Sequence, residues 1–171
     1  MLESAREVFA QNGAEAQIDD VARRASVGVG TVYRHFPTKE ALMAELVRQK
    51  FRLFADNARA ALAQEGEPFA VFEDLLRRNA EAAAADATVQ HALTGLGEHL
   101  WAQAVTEQDE LRTLTAELVS RAQRAGTMRA DVTPVDVSML MCGVCSTMAL
   151  RGPGFDWRRH LELIVDVLRA A

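Results

Sequence analysis

Apolar residues recur at the 3.6-residue period of an α-helix along almost the whole chain, and no run shows the period-2 alternation of a half-buried strand. Aromatic residues make up only 6% of the chain and alanine is abundant, which favours closely packed helices. The sequence therefore predicts an all-α protein. The breaks in the pattern predict helices over residues 2–12, 18–25, 29–36, 39–64, 68–86, 88–103, 107–125, 134–150 and 157–170.

The composition predicts a globular protein of the cytoplasm. Hydrophobic residues form 49% of the 171 residues and charged residues 25%, which is enough apolar material for a buried core. No stretch approaches the roughly 20 apolar residues of a membrane helix. The N-terminus also lacks the basic segment and apolar run of a signal peptide. We expect no association with membranes.

The distribution of charge bears on nucleic-acid binding. The net charge of −5 argues against a phosphate-binding surface, but residues 1–50 hold seven Lys and Arg and seven Asp and Glu. The whole excess of acid therefore lies in residues 51–171. Because the N-terminal segment is only neutral, an affinity for DNA has to come from a local cluster of hydrogen-bond donors.

The segment 18–36 has the layout of a helix-turn-helix. An amphipathic helix is followed by a short turn that contains Gly28, and then by a short helix that ends before Pro37. In the second helix Val32 and Phe36 are four residues apart and are expected to face inward. The polar residues of this helix then point outward, which is the arrangement of a recognition helix. A solvated helix in a purely structural unit has the same pattern.

The outward residues of the second helix suit contacts with DNA. Arg34 can donate two parallel hydrogen bonds to guanine, and Thr31 offers a hydroxyl and a methyl group to base edges. Gly30 lets the backbone approach closely. Three further side chains can reach phosphate oxygens. They are Tyr33, His35 and Lys39.

The sequence of this region closely resembles the TetR family of bacterial regulators. The resemblance lies in residues 18–25 (IDDVARRA) and 27–42 (VGVGTVYRHFPTKEAL), with residues 5–9 and Gly13 similar to the first helix of that family. It implies a homodimer with one DNA-binding head per subunit that binds a pseudo-palindromic operator. By this resemblance Gly30, Thr31 and Arg34 read bases, and a small molecule bound in the C-terminal domain releases the repressor from DNA.

The resemblance divides the chain into a helix-turn-helix domain at 1–47 and a helical ligand-binding and dimerisation domain at 48–171. It also implies that the last two helices form the dimer interface. Three positions depart from the family pattern. Gln17 stands where the family has a capping Thr or Ser that touches phosphate, and Ser26 and Gly28 replace the usual Gly and Ser of the turn. These departures predict weaker anchoring to phosphate and a weaker cap on the recognition helix.

The ligand site has to be predicted from the chemistry of residues 68–125. Apolar residues on the inward faces of these helices are expected to enclose a small-molecule cavity, although the same residues can form plain core. Glycines at 95 and 97 interrupt a helix at a cost of about 1 kcal/mol each, which indicates a kink or close packing. We expect ligand contacts from six residues. They are Phe72, Leu76, His91, Leu96, His99 and Trp101.

Two alternative functions remain open at this point. Cys142 and Cys145, or His91 with Glu98, could serve a redox- or metal-responsive regulator, although a free cysteine also behaves as a small buried hydrophobe. A helical small-molecule carrier is the other alternative. The sequence has no nucleophile and base pair, no phosphate-binding loop and no complete metal motif, so we expect no enzymatic activity, no cofactor and no metal.

Overall fold

The structure is a computed structural model that describes residues 1–86, 102–150, 152 and 154–170. Within these residues the chain forms eight α-helices, and the only β-pairing is an isolated bridge between Met128 and Arg169. The helices are α1 (Leu2–Asn12), α2 (Ile18–Arg24), α3 (Val29–His35), α4 (Lys39–Leu62), α5 (Pro68–Ala84), α6 (Val105–Arg124), α7 (Pro134–Ala149) and α8 (Trp157–Leu168). The all-α fold predicted from the sequence is confirmed.

The chain divides into two compact units. The first comprises Met1–Lys50 with Ala85–Val105, and the second comprises Phe51–Ala84 with Thr106–Ala171. In the first unit α2 and α3 pack through Ile18, Ala22 and Val32, which are at most 5% exposed, and Phe36 covers this cluster. The predicted domain boundary between residues 47 and 48 stays a prediction.

The turn between α2 and α3 is a Schellman motif with a serine at its left-handed position. The N–H of Val27 donates to the carbonyl of Ala22 at 3.0 Å, and the N–H of Ser26 donates to that of Arg23 at 3.2 Å. Ser26 has φ 54°, a conformation that glycine adopts without strain and other residues adopt at a cost. Ser26, which replaces the usual glycine of the family, therefore stands at the position of this turn where glycine is favoured.

Local signals in the sequence fix the ends of several helices. Pro37 separates α3 from α4, and the hydroxyl of Thr38 accepts a hydrogen bond from the N–H of Ala41 at 3.1 Å. At α7 the hydroxyl of Thr133 and the carboxylate of Asp136 form a reciprocal capping box. The predicted ends agree with the observed ones to within two residues for the helices that the structure describes.

The described part of the second unit has a large apolar core. It is formed by the part of α4 after Lys50 together with α5, α6, α7 and α8, and Phe69 and Phe72 of α5 are fully buried in it. The C-terminal end of α6 is a second Schellman motif, in which Gly126 takes φ 73°. None of the helices in the described part of the chain is long and apolar enough to span a membrane.

Candidate DNA-binding site and effector cavity

Helix α3 has one buried face and one exposed face. Val32 is completely buried and Phe36 is half-buried, which fixes the helix against α2. Tyr33 is 46% exposed, and Arg34 and His35 are also exposed. The inward and outward faces predicted from the four-residue spacing therefore occur in the structure, and the polar residues of α3 form an accessible ridge.

Arg34 has no hydrogen bond or ion pair with any residue that the structure describes. Four other arginines of residues 1–50 are each paired with a carboxylate. These pairs are Arg6–Glu3 at 2.9 Å, Arg23–Asp20 at 3.1 Å, Arg24–Glu7 at 2.6 Å and Arg48–Glu45 at 2.8 Å. Much of the positive charge in this neutral segment is thus neutralised internally, whereas the guanidinium of Arg34 keeps all its donors for an external acceptor.

Lys39 begins α4 beside the ridge. Its ammonium lies 5.7 Å from the centroid of the Phe9 ring, which is within the range of a cation–π interaction. This interaction positions the half-buried side chain against α1. His35 lies on the preceding turn with its ring 6.4 Å from that of Phe36. Tyr33, His35 and Lys39 lie within seven residues of the chain, and their contacts with phosphate stay a prediction.

The start of α3 has little side-chain cover. Gly28 is the N-cap residue and provides no side-chain hydrogen bond, which agrees with the weak cap predicted from the sequence. A Cβ atom placed on Gly30 would meet nothing within 4 Å, so packing inside the chain does not require glycine there. Thr31 is half-buried, and its N–H donates to the carbonyl of Gly28 at 2.8 Å. An open glycine next to a threonine leaves room for a close external contact.

Gln17, which departs from the family pattern, is the exposed N-cap residue of α2. Its N–H donates to the Asp20 carboxylate at 3.3 Å, and its side-chain amide donates to the carbonyl of Glu15 at 3.1 Å. The amide is therefore engaged locally. The predicted loss of a phosphate contact at this position stays a prediction.

The second unit encloses a cavity of about 90 Å³. Its described wall consists of Phe54, Leu75, Leu76, Asn79, Ala83, Leu111, Thr115, Val137, Ser138, Met141 and Cys145. Leu76, one of the predicted ligand residues, lies on this wall, and its contact with a ligand stays a prediction. Phe72 is completely buried in the core and is not among the described residues of the wall. The other predicted ligand residues, His91, Leu96, His99 and Trp101, lie outside the described residues.

Two polar residues of the wall were not predicted. Asn79 is 9% exposed and accepts a hydrogen bond from the side-chain amide of Asn57 at 2.8 Å. Thr115 is 8% exposed, and its hydroxyl has no hydrogen bond with a described residue. The signal in the sequence is their spacing: Asn79 follows Leu75 by four residues and Thr115 follows Leu111 by four, so each polar residue continues an apolar stripe.

Comparison with known proteins identifies both parts of the chain. The family model described as "Bacterial regulatory proteins, tetR family" matches residues 1–46. The model described as "Transcriptional regulator SbtR-like, C-terminal domain" matches residues 67–170, which is more than half of the chain. The chain belongs to the TetR family.

Solved structures and curated relatives agree with this assignment. The TetR transcription regulatory protein from Mycobacterium vanbaalenii is 37% identical, with a TM-score of 0.69 over 99% of this chain and 92% of that one. The TetR transcriptional regulator SCO0520 from Streptomyces coelicolor is 28% identical, with a TM-score of 0.71 over 99% and 97%. The HTH-type transcriptional repressor KstR from Mycolicibacterium smegmatis is 28% identical over 98% of this chain and 84% of its own length.

As a TetR-family member the protein is a DNA-binding transcriptional regulator, which confirms the class of function predicted from the sequence. The described residues of this TetR regulator give little support to the alternatives of a redox-responsive or metal-responsive regulator. Cys142 and Cys145 are not joined by a disulfide, and partial desolvation raises the pKa of the Cys142 thiol, which disfavours the reactive thiolate. Within 1–86, 102–150, 152 and 154–170, no three His, Cys, Asp or Glu residues cluster as a metal site would require.

Proposed function

We propose that this repressor places α3 in the major groove of a pseudo-palindromic operator, with Arg34 donating to guanine. The observation that carries the proposal is the exposed guanidinium of Arg34, which has no partner among the described residues while neighbouring arginines are paired. A bidentate contact of this kind is worth about 1–3 kcal/mol of discrimination against a wrong base. Gly30 and Thr31 lie on the same accessible end of the helix and meet adjacent base edges.

The remaining contacts position the protein on the DNA backbone. Tyr33, His35 and Lys39 contribute phosphate contacts, which carry no sequence information of their own but fix the register. A single head with so few donors binds weakly because affinity for DNA depends strongly on the number of neutralised phosphates. Two heads on one operator overcome this limit, which is a reason for the protein to act as a dimer.

The dimer forms through α7 and α8. Large apolar side chains are exposed on both helices in the isolated chain, and such residues favour an interface with a second copy. They are Val135 (54% exposed), Met139 (60%), Leu163 (48%) and Val167 (60%). Two recognition helices then meet half-sites about 34–36 Å apart. The working division of labour is a DNA-binding domain at 1–47 and a ligand-binding and dimerisation domain at 48–171.

A small molecule bound in the cavity of the second unit controls the affinity for DNA. The cavity of about 90 Å³ is smaller than the roughly 300–1,000 Å³ of typical ligand sites, so the wall has to move as a ligand of ordinary size enters. Movement of the wall on binding is what links the ligand to the affinity for DNA. Leu76 is the predicted ligand contact that lies on this wall.

The test is a fluorescence anisotropy titration of the full chain against DNA from upstream of its own gene, at two salt concentrations. We expect saturable binding that weakens steeply with salt and exceeds binding to a scrambled duplex of the same composition by about 10³-fold or more. Equal binding to both duplexes, or none to either, would disprove operator recognition.

A further inference from the structure

The hydroxyl of Thr115 makes no hydrogen bond within its own helix. Within helices, Ser and Thr side chains ordinarily donate to the carbonyl four residues earlier. Thr113 does so to Asp109 at 2.8 Å, and Ser138 does so to Pro134 at 3.1 Å. Thr115 makes no such bond, although it is 92% buried and lies on the cavity wall. Its hydroxyl is therefore free to bond with an occupant of the cavity.

Asn79 supplies a second group of the same kind. Its side-chain oxygen accepts from the amide of Asn57 at 2.8 Å, which fixes the orientation of the amide plane. The amide nitrogen of Asn79 has no acceptor among the described residues, although Asn79 is 9% exposed and lines the same cavity as Thr115. Both groups can therefore donate a hydrogen bond to an occupant of the cavity.

The rest of the wall limits the chemistry of this occupant. Of the eleven described lining residues, none carries a charge, and seven are Ala, Val, Leu, Met or Phe. An ion that entered this cavity would lose its hydration without gaining a counter-charge from these residues, which is strongly unfavourable. The wall suits a neutral molecule that is mostly apolar and has an oxygen atom to accept hydrogen bonds.

We propose that this cavity binds a neutral, largely apolar small molecule with one acceptor oxygen, such as a ketone or ester carbonyl, which accepts from the Thr115 hydroxyl and the Asn79 amide. The proposal rests on the ligand-binding role proposed for this domain and adds the chemical class of the ligand. Met141 and Leu111 are only partly buried, and their side chains can shift to admit groups larger than the present cavity holds.

The experiment compares three probes of five heavy atoms and nearly the same shape: butan-2-one, 2-methylbut-1-ene and propanoate. Binding to the full chain is followed by NMR through the side-chain amide of Asn79 and the methyl of Met141. We expect butan-2-one to bind at least tenfold more tightly than the alkene, because only the ketone accepts hydrogen bonds. Propanoate should not bind measurably because its charge is not compensated.

Two variants test the role of the hydroxyl. Thr115→Val removes it with little change of shape, and we expect it to weaken butan-2-one binding about 2- to 12-fold while leaving the alkene unchanged or tighter. Ser138→Ala is the matched control, because Ser138 lines the same cavity but its hydroxyl donates to the Pro134 carbonyl. It should change ketone affinity less than twofold.

The outcomes separate this proposal from the proposed function. Absence of binding by all three probes, equal binding of ketone and alkene, or preference for propanoate overturns the ligand class, and so does a loss of ketone affinity that is equal in Thr115→Val and Ser138→Ala. Operator binding measured on the same preparation reports on the proposed function alone. A protein that binds the ketone as expected but no operator supports the ligand class and disproves the operator proposal.

Discussion

The ammonium group of Lys50 lies 3.3 Å from the carboxylate of Asp86, and only 6% of the lysine side chain and 15% of the aspartate side chain are exposed. Arg6 approaches the same carboxylate at 3.7 Å. This arrangement connects α1, α4 and the residues that follow α5 within the first unit. The removal of one partner from such a buried group leaves an uncompensated charge, which is more costly than the loss of an exposed pair.

We therefore expect Asp86→Asn to lower the free energy of unfolding by about 2–4 kcal/mol, measured by urea denaturation followed by circular dichroism. The control is Glu3→Gln, which breaks the pair with Arg6 in which Glu3 is 74% exposed and should change stability by less than about 0.5 kcal/mol. Equal effects of the two variants would show that the burial of Lys50 is not what makes Asp86 important.

Ser26→Gly is expected to stabilise the protein. Ser26 adopts φ 54° at the left-handed position of a Schellman motif, where a residue other than glycine pays about 1–2 kcal/mol. Glycine loses more entropy on folding, so a net gain of about 0.5–1 kcal/mol in the free energy of unfolding should remain. Gly126→Ser is the reciprocal change at φ 73° in the second unit and should destabilise by about 1 kcal/mol. A loss of stability in Ser26→Gly would contradict this explanation.

The stability of α5 should depend on pH through Glu67. Its carboxylate accepts from the N–H groups of Phe69 at 2.8 Å and Ala70 at 2.7 Å, and these backbone bonds lower the pKa of Glu67 below its ordinary value. A lowered pKa in the folded state means that the stabilisation is complete above about pH 4.5 and is lost as the pH falls through the lowered value.

Thermal unfolding of Glu67→Gln between pH 3 and pH 7 tests this. We expect the variant to melt below the wild type at pH 7, and the difference in Tm to shrink as the medium becomes more acidic than pH 4.5. Glu65→Gln, a change of the same type in the same loop, should follow the wild type throughout. A difference in Tm that stays constant down to pH 3 would show that the hydrogen bonds to the ionised Glu67 carboxylate are not its cause.

Substitutions of Arg34 and Lys39 should affect DNA binding in different ways. Arg34→Ala removes the proposed base contact, so we expect a loss of about 1–3 kcal/mol on the operator and little change on random DNA. Lys39→Ala should weaken binding to all sequences alike and reduce the slope of log K against log salt by about 1. Competition titrations at several salt concentrations measure both quantities. An equal loss of specificity in the two variants would show that the roles are wrongly assigned.

The exposed apolar residues of α8 should govern the oligomeric state. Val167→Glu places a charge on a side chain that is 60% exposed in the single chain, so folding of the monomer should change by less than about 0.5 kcal/mol. In a dimer interface the same charge is buried, and we expect a shift from dimer to monomer in light scattering after gel filtration. Leu53→Glu, at an exposed apolar residue of α4, should leave the mass unchanged.

The fold was predictable because its determinants are local. Pro37 and Thr38 end one helix and start the next, and Thr133 with Pro134 starts another, so the helix ends follow from the sequence alone. The outward face of α3 follows from the four-residue spacing of Val32 and Phe36 in the same way.

The cavity was less predictable because it depends on packing between helices. Periodicity places both Phe72 and Leu76 inside the second unit, but it does not distinguish a residue of the core from one on the cavity wall. Thr115 was missed for a related reason, since a single hydroxyl in an apolar stripe resembles an ordinary helical threonine until its missing hydrogen bond is seen. The sequence shows equal numbers of positive and negative residues in the DNA-binding head, but it does not show which arginines form ion pairs. The structure shows that four of them do and that Arg34 does not pair with a described residue.

The unpaired state of Arg34 has a consequence for kinetics. Since no carboxylate among the described residues holds this guanidinium, the head does not have to break an ion pair before it meets DNA. We expect the association rate constant to be set by diffusion and orientation, and the lifetime of the complex to carry the difference between operator and random sequence. Such a repressor associates with DNA quickly, and it distinguishes the operator from random sequence by the longer lifetime of the operator complex.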